Sequence, residues 1–187
     1  MKTYKTEGII IKRINFGEAD RILTIFTKHY GKIKAIAKGI RKIKSRRAPH
    51  LELFNQTVLF LYKGKNLDII TEAQLVNSFS TLRKNLRKVA FAFGVCELVD
   101  QLTREGQKQL KAYELLKACL NDLNLSAVAG HLNKGEGQKA VKRFEQELLQ
   151  VLGFLPKGEF LEKVTLERYI EKIIEKKLKS RKFLSKL

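Results

Sequence analysis

The sequence predicts an α+β chain in two parts: a five-stranded antiparallel barrel over residues 1–77, then an all-α domain over residues 78–187. Three observations carry this reading. As far as Asn77, short runs of β-branched and apolar residues follow one another. Turns rich in glycine, asparagine and aspartate separate those runs. From Ser78 onward the apolar residues recur at helical spacing.

Taken in order, Gly8–Ile14 (GIIIKRI) reads as the first strand. Phe16–Asp20 supplies a turn in which Gly17 is free to take a positive φ. Arg21–Thr27 (RILTIFT) is the second strand, and His29-Tyr30-Gly31 turns the chain into the third. That third strand alternates: Ile33, Ala35 and Ala37 on one face, Lys32, Lys34 and Lys38 on the other. The period is lost at Gly39, where a basic loop begins that stops at Pro49. Gln56–Tyr62 (QTVLFLY) is the fourth strand, Lys63–Asn66 a hairpin connection, and Leu67–Leu75 (LDIITEAQL) the fifth. A Greek-key barrel of this size is the OB-fold, whose surface commonly binds oligonucleotides. A Src-homology-3-like barrel would give much the same strand pattern.

Beyond Ser78, Ser80 is placed to cap a helix running through Leu82, Leu86, Val89, Phe93 and Leu98. Further helices are expected over Lys108–Leu123, Ser126–Leu132, Gln138–Leu152 and Leu166–Leu178. Gly153 and Pro156 end the fourth of these five.

Charge bounds the function. The net charge is +19 and the pI about 10.0. A polyanionic partner relieves such self-repulsion, nucleic acid being the commonest and anionic membrane the next. With 44% hydrophobic residues, the chain has enough apolar material for a core. The start, MKTYKTEG, has no apolar segment of signal-peptide type. The apolar runs, such as Val58–Tyr62, are too short to span a bilayer. Cys96 and Cys119 lie far apart in helical patterns, which points to core residues in a reducing, cytoplasmic compartment.

The charge concentrates in Gly31–Arg47. Lys32, Lys34, Lys38, Arg41, Lys42, Lys44, Arg46 and Arg47 follow one another without an intervening acid. A merely solvated face usually mixes signs, so these residues are the candidate phosphate contacts, with Arg21 added for its proximity to the barrel face. Among the aromatic residues of the β part, Tyr30 is the best placed to stack on a base; Phe16, Phe54, Phe60 and Tyr62 read as core. A second basic group, Arg83, Lys84, Arg87 and Lys88, reads as a solvated helix face. A third, from Lys172 to Lys186, accompanies an apolar stripe expected to pack into the helical domain.

Enzyme signatures are missing from the sequence. It contains no G-x-x-x-x-G-K-[ST] and no G-x-S-x-G. Glu18, Asp20, Asp68 and Glu72 could be imagined as a metal cluster, but local pairing is the simpler expectation. His29, His50 and His131 are scattered and form no zinc pattern with the cysteines. No metal or cofactor is expected.

Longer stretches are specific enough to name a family. They are Glu7-Gly8-Ile9-Ile10, Gly17–Thr27 (GEADRILTIFT), Gly31-Lys32, Ala37–Lys42 (AKGIRK), Ser45-Arg46, Leu51–Phe54 and Thr71-Glu72-Ala73. Glu97–Asp100, Leu152–Pro156 and Leu178–Leu184 extend the match across the helical part. In these the chain resembles the RecO family of bacterial recombination mediators. The resemblance implies an N-terminal OB-fold and a helical domain, binding of single- and double-stranded DNA, and annealing of complementary strands. It also implies two partners, RecR and the C-terminal tail of single-stranded-DNA-binding protein, in loading recombinase. Many members carry four cysteines and a zinc ion just after the position of Pro156. Here KGEFLEKVTLERY follows, with no cysteine, so no zinc is expected.

Two other classes of function stay open on the residues alone. One is an interaction hub whose helical part takes an acidic peptide, with Arg104, Lys108, Lys111 or Arg143 as anion partner. The other is an RNA-binding or ribosome-associated basic barrel.

Overall fold

A computed structural model describes residues 2–125 and 135–184. The expected helix over Ser126–Leu132 lies outside the described residues, as do His131 and Lys186.

The chain divides into two compact units. One runs to Ser78 and includes Thr103–Tyr113; the other is Phe79–Leu102 with the chain from Glu114 onward. The first unit is a closed barrel of β1 (Thr3–Phe16), β2 (Asp20–Thr27), β3 (Gly31–Ala37), β4 (Gln56–Tyr62) and β5 (Asp68–Asn77). Its strand order, β1-β2-β3-β5-β4 and back to β1, is that of an OB-fold. Four seams are antiparallel; the closing seam differs from an all-antiparallel barrel. There β3 meets β5 in parallel, through Ala35 opposite Asp68 and Ile36 opposite Ile69. The basic loop and β4 intervene between these strands, which allows them to run the same way.

Period-two alternation fills the barrel. Leu23, Ile25, Ala35, Ala37, Leu59 and Leu61 are buried and meet in one core. β1 departs from strict alternation. Ile9, Ile10 and Ile11 are all buried in succession, and the β1–β2 register shifts between Ile10 and Lys12. A bulge at this point inserts one extra residue and reverses which side chains face outward beyond it.

Thr103–Tyr113 covers part of the barrel. At its free edge, β3 pairs in parallel with this segment through Lys32 and Glu105. The amide of Gly106 donates to the carbonyl of Lys32 at 2.9 Å. A β-carbon at Gly31 would lie 2.0 Å from the carbonyl oxygen of Gln107, and Gly31 has φ +65°, so the position admits only glycine. Further along, the Tyr113 hydroxyl donates to Glu7 of β1 at 2.9 Å.

The second unit contains α1 (Ser80–Arg83), α2 (Leu86–Leu102), most of α3 (Leu110–Leu125), α4 (Glu136–Leu152), α5 (Lys163–Ile174) and α6 (Lys179–Leu184). The helix expected from Ser80 is broken in two, and the one expected over Leu166–Leu178 ends early, with a separate short helix after it. The helix from Ser80 stops and restarts because the side chain of Asn85 accepts the amide of Lys88 at 3.2 Å, acting as a new cap. The last helix stops at Glu175, which has φ 53°. α6 then begins where both carboxylate oxygens of Glu97 accept the amides of Lys179 and Ser180, each at 2.9 Å. α4 ends as expected: Gly153 has φ +81°, and the amide of Phe154 donates to Leu149 at 2.9 Å. Leu166, Ile170 and Leu178 are buried, so the C-terminal stripe packs inside this unit.

Candidate nucleic-acid interface

The basic loop between β3 and β4 is held on two sides. On one side it meets the β1–β2 turn. Asp20 accepts the amide of Gly39 at 2.7 Å, the carbonyl of Ala19 accepts the amide of Arg41 at 2.9 Å, and the Arg41 guanidinium reaches the carbonyl of Gly17 at 3.3 Å. On the other side Arg47 acts as a brace. Its Nη1 donates to the carbonyls of Ile70 and Thr71 on β5, and its Nη2 to the carbonyl of Lys38. Asp20, one of the carboxylates considered for a metal cluster, is thus engaged by the loop, and Asp68 accepts the hydroxyl of Tyr4.

The nine basic residues named from sequence fall into different environments. Lys38, Arg41, Lys42, Lys44 and Arg46 are exposed together on this loop. Arg47 is turned inward as the brace. Lys34 is half-exposed and forms an ion pair with Glu105 at 2.5 Å. Lys32, expected on the outer face, is 7% exposed because the Glu105 segment lies against it. Arg21 bonds Asn15 and Glu52, each at 3.2 Å, and Glu52 also takes Arg13. Those partners partly neutralise Arg21, whereas the loop quintet is exposed with no acid paired to it among the described residues.

The apolar neighbours of this loop are not those expected. Tyr30 is 43% exposed, but its ring packs on Tyr4 at 4.8 Å between centroids and its amide is held by Thr27. Phe60 lies under the Lys5 ammonium, 5.1 Å from its ring centre. Phe16, read as core, is 52% exposed at the tip of the β1–β2 hairpin, one residue from the carbonyl that Arg41 contacts. All of Lys12–Phe16 is exposed, and the bulge at Ile11 sets the face: beyond it, even-numbered residues of β1 lie on the outer side of the sheet. On that outer face Ile14 lies opposite Ile22, Ile22 opposite Ile36, and Ile36 opposite Ile69. This row of partly exposed isoleucines adjoins Phe16. The signal in the sequence was the triple isoleucine Ile9-Ile10-Ile11, which strict alternation cannot accommodate.

Elsewhere, Arg104, Lys108 and Lys111 belong to the barrel unit, and Arg143 of the helical unit pairs with Glu147 at 3.2 Å. Lys88 is buried rather than solvated, and burial pushes its pKa down against the pull of Glu136. Cys96 and Cys119 are buried free thiols, both with pKa raised by burial. Among the described residues no three His, Cys, Asp or Glu side chains are grouped as metal ligands, and no helix is long and apolar enough to cross a membrane.

The barrel and the helices correspond to two sequence-family descriptions. Recombination protein O N terminal matches residues 1–79, and Recombination protein O C terminal matches residues 83–160. The chain belongs to the RecO family. It is similar to proteins named DNA repair protein RecO from several bacteria. With that of Roseiflexus sp. (strain RS-1) it shares 37% identity over 83% of this chain and 52% of the relative. With that of Symbiobacterium thermophilum it shares 35% over 83% and 59%, and with that of Dehalococcoides mccartyi (strain 195) 36% over 82% and 57%. The chain therefore spans little more than half the length of these curated relatives.

Proposed function

We propose that this RecO-family chain is a non-enzymatic DNA-binding mediator of recombination and repair, and that the Lys38–Arg46 loop is its principal phosphate contact. The observation that carries the reading is the quintet Lys38, Arg41, Lys42, Lys44 and Arg46: exposed, clear of acids among the described residues, and mounted on a braced loop. Such cations release condensed counterions when they meet phosphate. Phe16 and the isoleucine row offer an apolar surface for unpaired bases beside them. In this reading Lys34 and Lys32 contribute field rather than individual contacts, and Arg21 and Arg47 hold the loop's surroundings in shape.

Annealing needs no general acid or base. It requires phosphate repulsion to be screened while bases stay free to pair, which suits a basic loop beside a shallow apolar face. The chain would bind single- and double-stranded DNA in the cytoplasm, at the nucleoid. It would act with RecR and with the C-terminal tail of single-stranded-DNA-binding protein to promote recombinase loading.

Replacing Lys38, Arg41, Lys42 and Lys44 together by Ala tests the site. DNA affinity should fall, and the slope of log affinity against log salt should become shallower by about 3, at roughly 0.7–0.9 per lost contact. An unchanged affinity and slope would exclude this loop. A matched RNA oligonucleotide in competition decides between DNA and RNA. Annealing of strands coated with tail-bearing or tail-less binding protein tests the partner at the same time.

A further inference from the structure

Ile43 is more exposed than any other large apolar side chain among the described residues, at 105%. None of its surface is withdrawn from water, so core packing does not account for it. It stands between Lys42 and Lys44, with Arg41 and Arg46 close along the chain. The amide of Ser45 donates to the carbonyl of Lys42 at 2.9 Å, which places Ile43 at the first central position of a turn. The amide of Lys42 donates in turn to Gly39 at 3.2 Å. Asp20 and Ala19 fix one end of this stretch, and Arg47 the other. A β-branched side chain is stiff about χ1. The result is a rigid apolar point, ringed by cations, on a turn that needs little further ordering to be used.

We propose that Ile43 is a wedge that enters the base stack of DNA at a break in the duplex, while the cations of the same loop hold the flanking phosphates. The proposal rests on the DNA-binding reading above. Inserting an apolar side chain between base steps unstacks them, and isoleucine is among the residues used in this way. The cost is smallest where a step has already lost a neighbour, as at a junction of single and double strands. The ligand class is therefore DNA with such a junction, in preference to continuous duplex or free single strand.

The test uses the whole chain and three DNAs of equal length: a continuous duplex, a duplex with a single-stranded extension, and a single strand. A fluorescent adenine analogue at the junction reports unstacking. The wild-type chain should favour the junction and brighten the analogue. Ile43→Ala should keep its single-strand affinity and salt slope but lose about tenfold at the junction, together with the brightening. Ile43→Phe should retain both. Ile43→Ala behaving as wild type on all three DNAs, or losing affinity equally on all three, would overturn the wedge while leaving DNA binding intact. Absence of salt-dependent wild-type binding to any of the three would instead remove the DNA-binding reading, and the wedge with it.

Discussion

The guanidinium of Arg47 donates from Nη2 to the carbonyl oxygen of Lys38 at 2.7 Å, joining the two ends of the basic loop. Its other nitrogen bonds Ile70 and Thr71 on β5, so one side chain closes the loop and ties it to the barrel. Arg46, its neighbour, is exposed and makes neither of these bonds.

The two arginines should therefore separate stability from binding. Arg47→Ala should cost about 1–3 kcal/mol of stability, since it leaves backbone carbonyls without their partner. Arg46→Ala should leave the melting temperature nearly unchanged and make the DNA salt slope shallower by about 0.7–0.9. Thermal melts and salt titrations of both variants check this. Equal melting temperatures would remove the brace assignment.

Arg21 supplies a contrast. It shares Glu52 with Arg13, and its side chain is 20% exposed. Arg21→Ala should change the DNA salt slope by much less than any single loop substitution, and stability by no more than about 1 kcal/mol, as for other partly exposed pairs. A slope change equal to that of Lys42→Ala would assign Arg21 to the phosphate surface.

Gly31 is the position on which docking of Thr103–Tyr113 depends. An added β-carbon meets the Gln107 backbone at 2.0 Å, where nothing flexible can yield. Gly31→Ala should detach this segment from β3. Hydrogen exchange would show it as lost protection at the Gly106 amide, which donates to Lys32. Lys32 should then become accessible to amine-modifying reagents. Tyr113→Phe removes only the hydroxyl bond to Glu7 and should give a smaller version of the same effect, about 1 kcal/mol. Wild-type protection in Gly31→Ala would contradict the clash.

In the helical unit, burial pushes the carboxyl of Glu145 up to about 7. Arg181 and Lys163 oppose the shift and Glu167 adds to it. Because the folded value lies above the usual 4.5, folded protein holds a proton that unfolded chain has already released between these limits. Stability contributed by this group must fall as pH rises from about 4.5 to about 7 and stay level above that. Glu145→Gln should abolish the decline. The melting temperature of the variant minus that of wild type should increase across this window, reaching several degrees by about pH 8. Parallel curves would show that Glu145 titrates normally.

Alternation and helical spacing are local properties written residue by residue, so a barrel followed by helices was legible in them, whereas the return of Thr103–Tyr113 to the barrel unit was not. Five strands, their turns and the end of α4 at Gly153 were all readable in this way, and so was the concentration of charge in Gly31–Arg47. What the charge run means residue by residue was decided by tertiary contacts. Lys32 alternates correctly yet is covered by a segment some seventy residues away in sequence, at Glu105. Arg47 resembles its neighbours in the run but spends its donors on carbonyls of β5. Phe16 lies on the exposed end of β1, on a face set by a bulge that only the pairing of β1 with β2 reveals. Periodicity records which face a residue would occupy on an ideal element. Which atoms later arrive at that face depends on chain closure, and for Lys38–Arg46 closure left the cations exposed around Ile43.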